Sequence, residues 1–447
     1  MDLKGKKVLV LGLGDTGVSA VKWLKSKGAE VHAADSRENP PRLADLQGIP
    51  VETGPFRMAI AEDKELLLIS PGLSLEEPVV RKARQAGIPV MGDIEIFARE
   101  IAGKNLSVIA ITGSNGKSTV TSMAGEICRK AGLSTVVAGN IGLPVLDTLE
   151  ALPSVYVLEL SSFQLETVES LNAKAATVLN LSEDHLDRYP SMAEYANAKA
   201  AIFKGEGMQI LNRDDPGTMA MRIAGRKLVT FGISSPKDES EYGLAREGNE
   251  TWLSRGVRRL MKASDLQVAG RHNALNALAA LALCSALDIP EEIMTAALRE
   301  FRGLPHRVEK IGELDGVSFY DDSKGTNVGA TVAGLKGMAG KTVIILGGDG
   351  KGQDFSPLKD AVEKHARAVV LIGRDAPIIE RALGKERPIL HAENMDEAVE
   401  KAFEAAEKGD SVLLSPACAS FDMYRNYVHR AEVFRDAFGK IGPCRRN

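Results

Sequence analysis

The stretch that most restricts the fold is residues 107–127, SVIAITGSNGKSTVTSMAGEI. An apolar run ends at Ile111, a loop carries Gly113 and Gly116, and Lys117-Ser118-Thr119 opens a helix whose Val120, Met123, Ala124 and Ile127 recur on one face. Strand, glycine loop and helix in this order make a phosphate loop. The backbone amides around Gly113, Ser114, Asn115 and Gly116 form an anion nest, Lys117 neutralises phosphate charge, and the hydroxyls of Ser118 and Thr119 suit Mg²⁺ and phosphate oxygens. The spacing departs from the common form at Ile111, where a first glycine would stand. A glycine turn beside a surface lysine would explain part of this pattern but not its order.

A second glycine loop lies in KVLVLGLGDTGVSA, residues 7–20, with Gly12, Gly14 and Gly17 at G-x-G-x-x-G spacing between an apolar strand and a helix. First-turn amides and the helix dipole favour an anion there. Asp35 ends the next strand, about 20 residues on, where a dinucleotide site places a carboxylate on a ribose hydroxyl. The loop alone suggests a dehydrogenase. The phosphate loop a hundred residues later has no place in hydride transfer, and the pair fits an ATP-driven enzyme whose substrate carries its own diphosphate.

Strand-like runs near 65, 106, 154, 175, 341, 368 and 411 alternate with helical stretches, the signature of α/β folding on mostly parallel sheets. At about 150 residues per domain, 447 residues suggest three domains. Composition resets after residue 93 and again at 303, giving expected domains 1–93, 94–303 and 304–447. The net charge of −4 excludes a general electrostatic attraction to nucleic acid or anionic membrane. No apolar stretch approaches the ~20 residues of a membrane span, and no secretory leader is apparent. Cys128, Cys284, Cys418 and Cys444 match no metal-ligand spacing, so reduced thiols and a cytoplasmic location are expected, with a monomer as the expected state.

Further polar residues cluster after predicted strands. Glu159 ends YVLE, where a carboxylate needs a partner such as Mg²⁺; a solvent-facing strand end is the alternative. His185 in LNLSEDHLDRY follows another strand, either as a ligand or as a structural histidine. Arg307 in GLPHRVE can stabilise charge on a transferred phosphoryl group, and Asp322 in FYDDSKGTN can accept ribose hydroxyls; interdomain salt bridges would use the same residues. Lys351 and Ser420, in glycine- and small-residue loops, suit a carboxylate-bearing substrate. Lys199 in YANAKAAIF reads as an ordinary lysine on a helix face.

Taken together and in order, TGSNGKST, ELSSFQLE, NLSEDHLDR, GRHNALNALAA, LPHRVE, DDSKGTN, GGDGKG and LSPACASFDMY resemble the Mur ligases of bacterial peptidoglycan synthesis, over nearly the whole chain. GLGDTG and SPACASFDMY resemble most the branch that adds D-glutamate to UDP-N-acetylmuramoyl-L-alanine. No DNPR-like segment of the diaminopimelate- or lysine-adding branches is seen.

The resemblance implies a Rossmann-like N-terminal domain for the UDP moiety, a central P-loop ATPase domain, and a Rossmann-like C-terminal domain for the amino acid. It implies that ATP phosphorylates the alanyl carboxylate and that the amine of D-glutamate then displaces phosphate. It further implies ATP contacts at Asn273, Arg307 and Asp322, and two Mg²⁺ ions held by Ser118, Glu159, His185 and Lys199, the last as a CO₂-derived carbamate. Catalytic roles fall to Lys117, Glu159, His185 and Lys199. UDP contacts fall at Asp15, Thr16, Asp35, Ser36, Arg37 and Gly72, acceptor contacts at Asn140 and Ser161, and D-glutamate contacts at Thr326, Lys351, Ser420 and Tyr427. Tyr427 stands where the family pattern has phenylalanine. Folylpolyglutamate synthase shares the fold but is expected to lack the N-terminal domain. A non-catalytic ATP-gated binding protein would have no need of both Lys117 and Glu159.

Overall fold

A computed structural model describes residues 1–185, 188–268, 270–338 and 340–441; Cys444 lies outside the described residues. The fold is mixed α/β on three sheets, mostly parallel. The chain divides into two compact units, one of Met1–Leu181, Ala193–Met261 and Ala277–Leu298, the other of Ser182–Met192, Lys262–Asn276 and Arg299–Asn447. No helix among the described residues is long and apolar enough to cross a membrane.

The first unit holds two sheets. Strands β1 (Lys7–Leu11), β2 (Glu30–Asp35), β3 (Val51–Thr53), β4 (Leu66–Ile69) and β5 (Val90–Met91) pair in the order β3-β2-β1-β4-β5. All these pairings are parallel. Because helices cover both faces of such a sheet, β1 and β4 are continuous apolar runs rather than alternating ones. The second sheet comprises β6 (Ser107–Thr112), β7 (Thr135–Gly139), β8 (Val155–Glu159), β9 (Ala175–Val178), β10 (Met208–Asn212), β11 (Leu228–Phe231), β12 (Glu241–Glu247), β13 (Glu250–Arg255) and β14 (Arg258–Lys262). Its order is β14-β13-β12-β11-β10-β9-β6-β8-β7. The central neighbours β8, β6 and β9 bring the ends of three strands together: Ile111 pairs with Glu159, and Thr112 with Val178. One continuous apolar core runs from Val8 and Val10 through Ile94, Phe97 and Tyr156 to Leu211.

The second unit carries β15 (Glu309–Leu314), β16 (Val317–Asp321), β17 (Thr342–Gly347), β18 (Ala366–Ile372), β19 (Ile389–His391) and β20 (Ser411–Leu414), in the order β15-β16-β20-β17-β18-β19. Apolar layers cover both faces of this sheet, around Ile344 and Leu413 on one side and Val343 and Val412 on the other.

Every strand-like run read from the sequence is a strand. The sequence pattern did not reveal the antiparallel pair β12–β13 or the antiparallel edge strand β15. EYGLARE, ETWLSR and EKIGEL interleave charged and apolar residues because each has a solvated face, so none shows the apolar run of a buried parallel strand.

Candidate active site

The phosphate loop follows β6. Ile111 is buried in the strand, and it is Gly113, at φ 152°, that makes the turn a first glycine would otherwise make. A Cβ at Gly113 would meet Leu179 Cβ at 3.0 Å, so neither the dihedral nor the space admits a side chain. Gly116, left-handed at φ 83°, caps the helix Lys117–Lys130, whose Val120, Met123, Ala124 and Ile127 are fully buried as their spacing requires. Asn180, just past β9, staples the loop: its Oδ1 accepts from Asn115 N at 2.8 Å and its Nδ2 donates to Asn115 O at 3.0 Å. Lys117 Nζ curls over the loop and donates to Gly113 O and Ser114 O at 2.8 and 2.9 Å.

Two buried groups flank this loop. Glu159, at the end of β8, is 1% exposed; its Oε1 accepts from Asn140 Nδ2 at 2.7 Å and its Oε2 has no hydrogen-bond partner. An orphaned carboxylate oxygen is costly in a protein interior and suits a hard cation. Lys199, on the helix Met192–Ala200, is also 1% exposed. Its Nζ donates to Gly113 O at 3.0 Å and to Thr112 Oγ1 at 3.4 Å, and lies 4.5 Å from the Tyr195 ring centroid. Tyr195, one helical turn earlier, places its hydroxyl 3.2 Å from Ser114 Oγ. The sequence reading passed over Tyr195; its signal was the i, i+4 spacing to Lys199.

The N-terminal glycine loop opens the helix Asp15–Ser26. A Cβ at Gly17 would overlap the carbonyl oxygen of Gly12, so this glycine permits the close strand-to-helix approach. Asp15 and Thr16 line a cavity of about 480 Å³, with Ser19, Lys22, Arg42, Asn140, Leu143 and Gln164. Asp35 is buried, and its carboxylate is already engaged: it accepts from Leu13 N at 2.6 Å and from Arg37 Nε and Nη2 at 2.8 and 2.7 Å. Burial works against its charge, but the Arg37 and Leu13 hydrogen bonds outweigh that and hold its carboxyl below the ordinary aspartate value. Arg37 and Ser36 are exposed beside it, and Gly72 is exposed after β4. Asp35 therefore anchors the residues that face outward. Ser161 caps the helix Ser162–Leu165 in a reciprocal box with Gln164. Lys22, Arg42 and Gln164 were not selected from the sequence; only the cavity gathers them.

In the second unit, His185 is left-handed at φ 56° and its Nε2 lies 3.7 Å from Asp184 Oδ2. Asp184 in turn faces Lys351 Nζ at 3.8 Å and accepts from Asn327 Nδ2 at 3.3 Å. Arg307 is bracketed by His306 and Val308 at φ 62° and 50°, a strained conformation that for a β-branched residue persists only when its surroundings enforce it. Asp322 is buried, with Oδ2 accepting from Ser415 Oγ at 2.6 Å. Burial pushes its carboxyl up to about 7, against the opposing pull of Ser415 and Arg307. Lys324, which the sequence reading did not select, lies 4.0 Å from the Tyr427 ring centroid, and Tyr427 O accepts from Ser323 Oγ. The aromatic face of Tyr427 is what Lys324 uses, which a phenylalanine would supply equally. Thr326 follows Lys324 and its N–H donates to that residue's carbonyl; Ser420 is buried, its carbonyl accepting from Tyr424 N at 2.8 Å. Asn273, on the helix Arg271–Cys284, accepts from Asn276 Nδ2 at 3.3 Å. His306, Glu309 and Asp321 cluster with metal-like spacing, but Arg435 already lies 2.6 Å from Glu309 Oε2 and 3.5 Å from Asp321 Oδ2.

A phosphate loop beside an orphaned buried carboxylate, on a chain with a second diphosphate-type loop, is the equipment of a nucleotide-dependent ligase. The chain belongs to the Mur ligase family. Residues 6–92 match the Mur ligase MurD-like N-terminal domain, 111–284 the Mur ligase middle domain, and 306–418 the Mur ligase glutamate ligase domain. It is 57% identical over 439 residues to the UDP-N-acetylmuramoylalanine–D-glutamate ligase of Methylobacillus flagellatus, covering 97% of each chain. It is also 57% identical over 470 residues to the protein of the same name from Thiobacillus denitrificans, covering 100% of this chain and 98% of that one. Among solved structures, the UDP-N-acetylmuramate-alanine ligase of Thermotoga maritima shares the fold with a TM-score of 0.62 at 22% identity, over 98% of this chain and 100% of that one.

Proposed function

We propose that this chain is an ATP-dependent carboxylate–amine ligase that adds D-glutamate to UDP-N-acetylmuramoyl-L-alanine in peptidoglycan precursor synthesis. The observation that carries the reading is Glu159: a buried carboxylate with one unpartnered oxygen, one strand away from a GKST phosphate loop. The family is ATP- and Mg²⁺-dependent, and Ser118 and Glu159 offer the hard oxygen donors that Mg²⁺ takes; His185 would hold a second ion, and Lys199, as a carbamate, would be a further Mg²⁺ ligand. The ions would neutralise charge on the transferring phosphoryl group.

The amides and Lys117 of the phosphate loop hold the β- and γ-phosphates. An alanyl carboxylate oxygen attacks the γ-phosphorus, ADP leaves, and the resulting acyl phosphate has a good leaving group that the carboxylate lacked. The D-glutamate amine, having released its ammonium proton to water, attacks the acyl carbon; the tetrahedral adduct gives up a second proton from nitrogen to water and expels inorganic phosphate. Arg307 offsets phosphoryl charge. Lys199 acts as a carbamate: the modified nitrogen keeps one N–H for the Gly113 carbonyl while the side chain gains an anionic ligand.

Domains 1–93, 94–303 and 304–447 take the UDP moiety, ATP and D-glutamate respectively. Asn273, Arg307 and Asp322 contact ATP. Asp15, Thr16, Ser36, Arg37 and Gly72 contact UDP, with Asp35 holding Arg37 in place, and Asn140 and Ser161 contact the acceptor. Thr326, Lys351, Ser420 and Tyr427 contact D-glutamate. The enzyme acts as a cytoplasmic monomer.

Phosphate release from ATP, measured with UDP-N-acetylmuramoyl-L-alanine and a panel of amino acids, tests the reading. Turnover with D-glutamate is expected; turnover with L-glutamate, diaminopimelate or lysine but not D-glutamate overturns it.

A further inference from the structure

Two acidic side chains of the segment Gly92-Asp93-Ile94-Glu95 are almost fully buried, Asp93 at 2% exposure and Glu95 at 1%. Both stand in the first turn of the helix Asp93–Ile101 and reach the same stretch, residues 164–170. Glu95 is saturated: it accepts from Glu169 N, Ser170 N, Ser170 Oγ and Arg99 Nε at 2.6 to 2.9 Å. Such a set anchors one segment on another and needs no further explanation.

Asp93 is different. Its Oδ2 accepts from Gln164 Nε2 at 3.3 Å, while Oδ1 is buried with no hydrogen-bond partner. Burial raises its carboxyl to about 6, so the group costs stability where it stands. A well-packed apolar side chain of similar volume would be cheaper there. What Asp93 supplies that an apolar residue cannot is an acceptor, for one end of the Gln164 amide and for the backbone of its own first helical turn at Ile94.

The two ends of a glutamine amide are alike in size, and their neighbours decide which points where. Gln164 Oε1 accepts from Ser161 N at 3.1 Å and Ser161 Oγ at 3.3 Å, and Gln164 N donates to Ser161 Oγ at 3.2 Å. The Ser161 N–H can only donate and so takes the Gln164 carbonyl, while the Asp93 carboxylate takes the NH₂ at the other end; the two together hold the amide at both ends. Gln164 also lines the cavity that holds Asp15, Thr16 and Asn140.

We propose that Asp93 is a positioning residue for the sugar-nucleotide substrate: it fixes the Gln164 amide in one orientation, and with it the Ser161 cap at the cavity wall. The inference rests on the reading that this cavity takes the UDP-linked acceptor.

Steady-state kinetics of Asp93→Leu and Asp93→Asn in the full chain, with ATP, D-glutamate and UDP-N-acetylmuramoyl-L-alanine varied in turn, provide the test. Leucine removes the acceptor and leaves the amide held only at its Ser161 end; KM for the UDP substrate rises about tenfold, the equivalent of one lost hydrogen bond, while kcat and the other two KM values stay within about threefold. Asparagine can turn its oxygen to Gln164 Nε2, and its KM for the UDP substrate returns to within about threefold of wild type. An unchanged KM in Asp93→Leu, a rise in all three KM values together, or an Asp93→Asn variant as impaired as Asp93→Leu overturns the proposal. Should Asp93→Leu fail to fold, Asp93→Ala is read by the same criteria, and a tenfold KM increase in Asp93→Asn overturns the proposal without either. Absence of D-glutamate-dependent turnover in the wild type would instead overturn the functional reading.

Discussion

Asp322 offers a test in which charge, burial and pH can be separated. Its carboxyl is raised from 3.8 to about 7, chiefly by burial, with Asp321 adding to the rise and Ser415 and Arg307 opposing it. A folded-state pKa above the unfolded value means that the protonated form is favoured by folding. The stabilising contribution is therefore complete below about pH 4 and is lost as pH rises through about 7. A shift of about three units corresponds to about 4 kcal/mol over that window, about 3 of them between pH 5 and pH 8. Asp322→Asn keeps an oxygen to accept from Ser415 Oγ, 2.6 Å away in the wild type, and removes the titration. The unit should be followed by itself, through hydrogen exchange at amides of β16 and β20 in the ligand-free full chain, because local exchange reads the stability of the strands that flank Asp322. The ratio of variant to wild-type protection should grow about 100-fold from pH 5 to pH 8. A ratio that does not change with pH would refute the reasoning, since burial of a neutral or ionised Asp322 would then carry no differential cost.

Four further variants test the site and the proposed roles of its residues. Glu159→Gln keeps an oxygen for Asn140 but loses the anionic donor, so kcat should fall about 1,000-fold without a lower melting temperature; retained activity with wild-type Mg²⁺ dependence contradicts its ligand role. Lys199→Ala should lose activity and recover part of it with added acetate or formate, whereas unchanged activity contradicts the carbamate. Gly17→Ala should destabilise the chain by about 2 kcal/mol or more and weaken UDP-substrate binding, because its Cβ meets the Gly12 carbonyl. Gly14→Ala, with nothing within 4 Å of the added Cβ, should keep the wild-type melting temperature, and equal effects at the two positions would contradict this account of the loop.

The parts of the site that were legible in the sequence are those encoded locally. The phosphate loop is a strand, a turn and a helix within about twenty residues, and each carries its own pattern: an apolar run, glycines, then helical periodicity. Glu159 was legible as a carboxylate ending such a run. Lys199 was not, because YANAKAAIF gives no sign that its lysine is buried; the burial comes from Gly113, Thr112 and Tyr195, two of them more than eighty residues away. The same holds for Asp93 and Glu95, whose burial comes from the 164–170 segment, some seventy residues away. Asp35 was legible as a strand-end carboxylate, but its capture by Arg37 depends on side-chain direction that no spacing encodes. His185, Asp184 and Lys351 are joined only by the fold of the second unit.

The central claim is that ATP activates the alanyl carboxylate rather than the incoming amine. Acceptor substrate carrying ¹⁸O in both carboxylate oxygens tests it directly, by mass spectrometry of the phosphate released on D-glutamate addition. Transfer of one carboxylate oxygen to phosphorus predicts one ¹⁸O atom per phosphate. Unlabelled phosphate, with one labelled atom kept in the new amide and the other lost to water, would contradict the account.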